Sequence, residues 1–119
     1  MKKGAYSLII TPFKKDMSLD EAGLRKLVKI QIDAGIHGIA PLGVTGENTL
    51  LTDDEIKKVV EIIVSEANGK AKIVPDTCTS SLWKAKERVQ MFADLGADYI
   101  SVFAPFFVIP KPEGVIDFY

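Results

Sequence analysis

The chain has 119 residues, of which 47% are hydrophobic and 26% charged, a composition typical of a single soluble globular domain. Its formal net charge is −1, which excludes the basic surface that binds nucleic acids or anionic membranes. The single cysteine, Cys78, excludes a disulfide framework and a thiolate metal site. Because no apolar run approaches the roughly 18 residues of a membrane span, we expect a cytoplasmic protein.

Short apolar runs alternate with amphipathic helical patterns along the whole chain. The predicted elements are, in order, a strand over 5–10, a helix from 19 or 20 to 34, a strand over 36–42, a loop over 43–51, a helix opening at 52, a strand over 72–75, a helix opening at 80 or 81, a strand over 98–104, a proline-containing loop, and one helical turn over 115–119. Apolar strands that alternate with helices indicate a parallel sheet that is covered on both faces.

Capping residues mark the starts of the predicted helices. Ser18 is the predicted N-cap of the first helix, and Ser80 or Ser81 that of the third. The series Thr52-Asp53-Asp54-Glu55 is a capping box that opens the second helix. Glycines recur after the helices about every 30 residues, the length of one βα unit. The residues predicted to face the sheet are Leu24, Leu27, Val28, Ile32, Ile56, Val59, Val60, Ile63, Leu82, Ala85, Val89, Phe92 and Ala93.

Four βα units can close into a fold in two ways. One is a complete doubly wound domain of the flavodoxin type, and the other is half of an eight-unit (β/α)₈ barrel, or TIM barrel. A flavodoxin-like domain also requires a fifth strand, which the sequence does not contain. We therefore predict the first four βα units of a TIM barrel over residues 1–119, with no internal domain boundary.

The loop Gly43-Val44-Thr45-Gly46-Glu47 is the most informative segment for function. In parallel α/β folds, ligands bind at the carboxyl ends of the strands, and this loop follows the second one. Two glycines allow a tight turn and a close approach of the backbone to a ligand. Successive N–H groups in such a turn bind an anion such as a carboxylate or phosphate. From the spacing alone, an ordinary structural turn is an equally good interpretation.

Several short segments, this loop among them, occur together in a recognisable order and spacing. They are Ile10-Thr11-Pro12-Phe13, Leu42-Gly43-Val44-Thr45-Gly46-Glu47, Leu51-Thr52, and Ala104-Pro105-Phe106-Phe107 followed by Pro112-Glu113-Gly114. Together they resemble the dihydrodipicolinate synthase/N-acetylneuraminate lyase family. The resemblance covers the whole chain but only the first four of the family's eight βα units.

The resemblance implies a cytoplasmic lyase or aldolase that folds as a TIM barrel and assembles as a homo-oligomer, either a tetramer or a dimer. In this family a lysine on the sixth strand forms a Schiff base with pyruvate or a related 2-keto acid. The second substrate or product is an aldehyde or a sugar acid. No metal or other cofactor is implied, and neither a nucleic acid nor a membrane is an expected partner.

The same resemblance implies roles for individual residues. The Thr45 hydroxyl and the N–H groups of Val44 and Thr45 would hold the pyruvate carboxylate, with Gly43 in the same turn, and Phe107 would line the pocket. The Schiff-base lysine would lie beyond Tyr119. No catalytic residue is therefore predicted within this chain, although its full-length parent is expected to be an enzyme.

Two positions depart from the family's pattern. Synthase members usually have a threonine in place of Val44 and a tyrosine in place of Phe107, and those hydroxyls belong to a proton relay. Valine and phenylalanine cannot transfer a proton, which counts against dihydrodipicolinate synthase itself. A lyase, aldolase or dehydratase for another 2-keto acid is favoured. The alternatives are a non-catalytic relative that binds a 2-keto acid or sugar acid, and an independent flavodoxin-like binding module.

Three further polar residues are interpreted mainly as structural. Asp76 follows the third strand, where capping of the next turn is favoured over contact with a substrate hydroxyl. Cys78 has no histidine partner, which disfavours a catalytic thiol. His37 begins the second strand, at the end of the barrel opposite the expected site.

Overall fold

The computed structural model of the chain describes residues 3–119. Strands and helices alternate from Tyr6 to Asp94, as the sequence predicts. The elements are β1 (Tyr6–Leu8), α1 (Glu21–Asp33), β2 (Gly38–Ala40), α2 (Asp53–Ala67), β3 (Lys72–Ile73), α3 (Leu82–Asp94) and α4 (Pro112–Phe118), with two 3₁₀ turns, Val44–Gly46 and Asn48–Leu50, between β2 and α2.

The three strands form a parallel sheet in the order β1-β2-β3. Ser7 pairs with Ile39, and Ile39 pairs with Ile73, so the strands are in register across the sheet. Strands that are consecutive in the chain are therefore neighbours in space. A flavodoxin-type sheet instead reverses its strand order at a switch point. The sequential order is that of a barrel wall.

One face of the sheet is buried and the other is open. Ile39 and Ile73 are buried beneath the helices, whereas Leu8 and Ile10 are 58% and 52% exposed. Because side chains alternate between the faces of a strand, this contrast separates a helix-covered outer face from an inner face. The helix residues in the core are Leu24, Val28, Ile56, Val59, Val60, Ile62, Ile63, Ala67 and Phe92.

The capping box of α2 is confirmed. The Thr52 hydroxyl accepts a hydrogen bond from the Glu55 N–H at 3.3 Å, and the Glu55 carboxylate accepts one from the Thr52 N–H at 2.8 Å. Ser81, one of the two predicted residues, caps α3 by accepting a hydrogen bond from the Lys84 N–H.

The predicted N-cap of α1 is wrong by two residues. The cap is Asp20, whose carboxylate accepts a hydrogen bond from the Gly23 N–H at 2.9 Å. The Ser18 hydroxyl instead donates to the Asp16 carboxylate at 2.7 Å, within the turn that precedes the helix. Aspartate and serine are both good caps, so local sequence does not decide between neighbouring candidates.

The predicted inward faces of α1 and α2 are confirmed, but that of α3 needs one correction. Ala93 was predicted to face inward and is exposed. The same helix buries Arg88, which was not predicted to face inward.

The predicted strand over 98–104 is wrong, because this segment joins the sheet only through a parallel bridge between Asp76 and Ser101. The Ile73 carbonyl accepts a hydrogen bond from the Tyr99 N–H at 3.2 Å, and the Pro75 carbonyl accepts one from the Ser101 N–H at 2.9 Å. Pro75 has no N–H to return to this segment, so the ladder is interrupted.

The last helix begins earlier than predicted. A single turn was expected over 115–119, whereas α4 spans Pro112–Phe118. Pro112 occupies the first turn, where proline is favoured because its missing N–H would have no partner.

Candidate active site

The loop after β2 consists of two consecutive 3₁₀ turns, Val44–Gly46 and Asn48–Leu50, joined by Glu47. Glu47 adopts the left-handed conformation, with a φ of 55°. The left-handed residue ends the first turn and lets the second begin in a new direction. Because the chain changes direction at Glu47, Asn48 at the start of the second turn is buried, while Val44 and Thr45 remain exposed.

Only one of the two glycines in this loop is required by close packing. A Cβ on Gly46 would lie 3.3 Å from the Ile9 carbonyl oxygen, a tight contact with backbone. A Cβ on Gly43 would meet nothing within 4 Å, and its φ of −77° suits any residue. Gly46 thus allows the loop to approach the end of β1.

The predicted carboxylate-binding residues lie on the exposed side of the first turn. Val44 is 76% exposed, and Thr45 beside it is also exposed. The Gly46 N–H donates to the Gly43 carbonyl at 3.0 Å, which closes the turn. The N–H groups at the start of a helical turn have no partner within it. Those of Val44 and Thr45 therefore have no partner within the turn.

Two buried side chains hold this loop in place from its inner side. The Thr11 hydroxyl, which follows β1, donates to the Gly46 carbonyl at 2.8 Å. The Asn48 amide donates to the Asp76 carbonyl at 3.0 Å, which ties the loop to the end of β3. Thr11 and Asn48 are 8% and 1% exposed, so both hydrogen bonds are shielded from water.

Arg88 of α3 makes the third connection to the loop. One guanidinium nitrogen, Nη1, donates to Asn48 Oδ1 at 2.8 Å and to the Thr77 carbonyl at 2.6 Å. The other, Nη2, contacts the Asp53 carboxylate at 3.3 Å. Lys84 contacts the second oxygen of Asp53 at 2.6 Å, and this hydrogen bond is the main cause of the lowered pKa of the Asp53 carboxyl.

Asn48 and Arg88 were both missed by reasoning from the sequence. Arg88 stands three residues after Ala85 and four before Phe92, which is the spacing of the buried face of α3. A charged residue at such a position signals a buried polar contact. Asn48 gives no comparable signal, because asparagine is common in loops for local reasons.

The loop after β3 is organised by Asp76. One carboxylate oxygen accepts a hydrogen bond from the Cys78 N–H at 2.7 Å, which matches the predicted capping of the next turn. The other accepts one from the Ser101 hydroxyl at 2.6 Å. Burial raises the pKa of the Asp76 carboxyl, although both hydrogen bonds lower it. The buried carboxyl therefore joins the end of β3 to the neighbouring segment.

Cys78 is buried in this loop. Burial raises the pKa of its thiol, and the nearby charge of Asp76 raises it further. A raised pKa keeps the thiol protonated, which counts against a role as a nucleophile.

The chain segment between α3 and α4 carries Phe103, Phe106 and Phe107 at the same edge of the sheet. The Ser80 hydroxyl accepts a hydrogen bond from the Phe106 N–H at 2.9 Å and donates to the Phe106 carbonyl at 2.8 Å. The Phe103 and Phe106 rings meet edge to face, with centroids 6.3 Å apart. Phe107 is 97% exposed, with a left-handed φ of 74°.

An open apolar cleft of about 430 Å³ lies between the loop after β2 and the segment that carries Phe103 and Phe106. Val44 lines it, whereas Phe107 does not. Gly43, Val44 and Thr45 are contiguous in the turn, and of the four predicted binding residues only Val44 lines the cleft. The cleft is lined by Val44, Glu47, Asn48, Thr49, Leu50, Cys78, Phe103 and Phe106.

Within residues 3–119, no cluster of three or more histidine, cysteine, aspartate or glutamate side chains is arranged to hold a metal ion. In the same residues, no helix has both the length and the apolar character to cross a membrane.

Comparison with known proteins identifies the family. The sequence matches the Dihydrodipicolinate synthetase family over residues 1–119. The 4-hydroxy-tetrahydrodipicolinate synthase of Methanococcus vannielii is 39% identical over 113 residues, which cover 95% of this chain and 39% of that protein.

Two solved structures show the same backbone. The chloride-inhibited dihydrodipicolinate synthase from Acinetobacter baumannii, complexed with pyruvate, has a TM-score of 0.94 and 34% identity. The N-acetylneuraminate lyase from Fusobacterium nucleatum has a TM-score of 0.91 and 30% identity. Each match covers 98% of this chain and about 40% of the solved one.

The strand order, the one-sided helix layer and these matches define a part of a TIM-barrel protein with a loop site at the carboxyl ends of its strands. The chain belongs to the dihydrodipicolinate synthetase family. It spans about 40% of the length of the relatives it matches and forms N-terminal βα units of their barrel. The doubly wound, flavodoxin-like alternative is therefore wrong.

Proposed function

We propose that the chain is part of a lyase or aldolase that forms a Schiff base with pyruvate or a related 2-keto acid. In this proposal the chain supplies the loop that binds the substrate carboxylate. The observation that carries it is the turn at the exposed residues Val44 and Thr45, which lies in a loop held by buried hydrogen bonds. The pyruvate complex of the Acinetobacter baumannii relative supports the choice of ligand.

The carboxylate would accept hydrogen bonds from the Val44 and Thr45 N–H groups and from the Thr45 hydroxyl. Its carbon chain would lie toward the apolar cleft, which Leu50, Phe103 and Phe106 line beside Val44. A cleft of about 430 Å³ is in the range of small-molecule sites. Polar groups at one side and apolar groups at the other suit a small 2-keto acid.

The lysine that forms the Schiff base is proposed to lie outside these 119 residues. Every lysine from Lys3 onward is at least partly exposed, whereas a nucleophilic lysine needs a lowered pKa. Lys72 and Lys84 are the least exposed, and hydrogen bonds to Asp98 and Asp53 raise the pKa of their amines. These ion pairs keep both amines protonated and unsuited to attack.

Once the lysine amine has attacked the keto carbon and water has left, the protonated imine withdraws electrons from the adjacent carbon. Loss of a proton from that carbon gives an enamine, which attacks an aldehyde to form a carbon–carbon bond; in the reverse direction the bond breaks to give the aldehyde and the enamine, which takes up a proton. Neither step needs a metal or another cofactor. Val44 and Phe107 carry no hydroxyl to move a proton in these steps, which favours a lyase or aldolase for another 2-keto acid over the synthase reaction.

We further propose that the whole protein is a homo-oligomer, either a dimer or a tetramer. Phe107, Val108 and Ile109 form an exposed apolar run that directly follows Phe106, a residue that lines the cleft. Apolar runs of this kind are commonly covered by another protein surface. Sedimentation of the encoded polypeptide (the product of the complete gene) tests this proposal, and a monomer at all concentrations would contradict it.

Borohydride trapping of the encoded polypeptide with pyruvate tests the catalytic proposal. We expect one reduced pyruvate adduct on a lysine outside the present sequence, detected by mass spectrometry of its peptides. Thr45→Val should weaken pyruvate binding by about tenfold or more, the loss expected for one hydrogen bond to a charged group. Ser65→Ala, which removes an exposed hydroxyl near the end of α2, is the control. The absence of any adduct in the wild type would refute the Schiff-base chemistry.

A non-catalytic relative that binds a 2-keto acid or sugar acid is the second candidate. The absence of hydroxyls at Val44 and Phe107 favours it. Saturable pyruvate binding without an adduct would support it, and turnover by the Val44→Thr, Phe107→Tyr double variant alone would identify the missing hydroxyls as the reason.

A further inference from the structure

We propose that Arg88 is a positioning residue that fixes the carboxylate-binding turn through Asn48. This inference rests on the proposed function and extends it to a residue on a helix outside the turn. Arg88 is 9% exposed, and its Nη1 nitrogen bonds two oxygens that belong to different loops. These are Asn48 Oδ1, after β2, and the Thr77 carbonyl, after β3.

The hydrogen-bond chemistry makes the arrangement specific. A guanidinium has only donors, so the Asn48 side chain must turn its oxygen toward Arg88. Its amide nitrogen is then free to donate to the Asp76 carbonyl, and it does so at 3.0 Å. Each end of the Asn48 side chain is thus matched to its partner. Loss of Arg88 would leave two buried acceptors unpaired, on Asn48 and Thr77.

The connection to the proposed ligand is short. Asn48 directly follows Glu47, whose left-handed backbone sets the direction between the two 3₁₀ turns. A displaced Asn48 would move Glu47 and, through it, the turn that carries Thr45. Groups that bind a small substrate must be held closely, because a misplacement of about 1 Å can cost about 100-fold in rate.

The ion pair between Arg88 and Asp53 does not account for the burial of Arg88. The Asp53 side chain is about half exposed, and Lys84 already contacts its second oxygen. Lys84 lies one turn before Arg88 on the same helix and shares Asp53 with it, but its ion pairs are with Asp53 and Glu87 rather than with the loops. Lys84→Leu is therefore the matched control for Arg88→Leu.

Hydrogen exchange in the encoded polypeptide tests the structural step without relying on activity. In Arg88→Leu we expect the loop amides to exchange about tenfold faster or more, since a hydrogen bond to a charged group is lost. Amides within α2 should change much less, and Lys84→Leu should leave the loop unchanged. The hydrogen-bonded loop amides are those of Gly46, Glu47, Leu50 and Leu51. Unchanged loop exchange, or an equal rise throughout the chain, would overturn the proposal.

Arg88→Lys covers the case in which Arg88→Leu does not fold. It keeps the charge and most of the volume but loses the planar fork, so an intermediate rise confined to the loop is expected. If loop exchange in Arg88→Lys matched the wild type, positioning by the guanidinium would be refuted.

Kinetics with pyruvate separate this inference from the proposed function. Because the turn binds the carboxylate before and during the reaction, Arg88→Lys should raise KM by about tenfold and change kcat less. If the wild type reacts with pyruvate and the KM of Arg88→Lys is unchanged, the inference fails and the proposed function stands. If the wild type forms no adduct, the proposed function fails, and hydrogen exchange still decides whether Arg88 holds the loop.

Discussion

The loop after β2 and the segment that carries Phe106 and Phe107 lie at the same edge of the sheet but are held in different ways. The first is fixed by Thr11, Asn48 and Arg88 through buried hydrogen bonds. The second is held through the exposed Ser80 hydroxyl, and its Phe107 side chain is almost fully exposed.

The loop after β2 is therefore held by residues of this chain, whereas the segment that carries Phe107 needs another surface to cover it. Buried hydrogen bonds are costly to break, so the turn proposed to bind the carboxylate can be preorganised by these residues alone. The exposed apolar side chains of the second segment gain hydrophobic stabilisation only when another surface covers them. The following predictions test this contrast, from the largest expected effect to the smallest.

Asn48→Ala should destabilise the fold most. It removes both hydrogen bonds of a side chain that is 1% exposed and leaves the Arg88 guanidinium and the Asp76 carbonyl without this partner. We expect a loss of about 2–4 kcal/mol in the free energy of unfolding. Urea unfolding of the encoded polypeptide measures it, with Thr49→Ala at the adjacent exposed position as the control. A loss as small as that of the control would show that the loop is not fixed by Asn48.

Thr11→Val should have the next largest effect. Valine fills the same volume but cannot donate to the Gly46 carbonyl, which then lacks this buried partner. The expected cost is about 1–3 kcal/mol in the free energy of unfolding. Thr45→Val makes the same chemical change at an exposed position, so it should affect pyruvate binding and leave stability nearly unchanged. Equal destabilisation by both substitutions would remove the distinction between the inner and outer sides of the loop.

Asp76→Asn should change how stability depends on pH. Because burial raises the pKa of this carboxyl in the folded protein, its protonated form is favoured by folding. Its contribution is greatest below the unfolded pKa and is lost as pH rises through the raised folded pKa. Asparagine does not ionise; its oxygen can accept from the Cys78 N–H, and its nitrogen can donate to the Ser101 hydroxyl oxygen, which reverses that hydrogen bond. The variant should therefore gain stability relative to the wild type across that window.

Asp53→Asn gives a control of opposite sign. The Asp53 pKa is lowered, chiefly by the hydrogen bond from Lys84, so its contribution is present at neutral pH and lost as pH falls through the folded pKa. Urea unfolding at a series of pH values should therefore give difference curves of opposite slope for the two variants. Parallel curves would contradict the assigned environment of Asp76.

The sequence predicts most of the fold because its signals are local and repeated. The capping box at Thr52 and the apolar stripes of α1 and α2 were correctly predicted from periodicity and capping chemistry. The predicted fourth strand was wrong because its formation depends on hydrogen bonds to a neighbouring segment of the chain. Pro75 follows β3 by two residues, and its missing N–H interrupts the hydrogen bonding to this segment. Pairing between segments cannot be read from either segment alone.

The candidate site was only partly predictable for a related reason. The Gly43–Glu47 loop could be recognised, since its residues are contiguous and their chemistry is local. Asn48 and Arg88 are 40 residues apart and meet only after α3 packs against the loops. A buried arginine is visible in the sequence as an interruption of an apolar stripe, but its partners are not. Long-range polar contacts therefore mark the limit of sequence reasoning here.

Phe107→Ala should have the smallest effect on stability. The side chain is 97% exposed and was not found among the residues that line the cleft, so its removal should change the free energy of unfolding by no more than about 0.5 kcal/mol. Ser80→Ala, which removes the hydrogen bonds to Phe106, should cost more than Phe107→Ala. Urea unfolding of dilute encoded polypeptide compares the two. If Phe107→Ala costs more than about 1 kcal/mol, another surface covers this phenylalanine in the whole protein. The difference in burial between the loop after β2 and the segment that carries Phe107 would then hold for these 119 residues and disappear in the assembled protein.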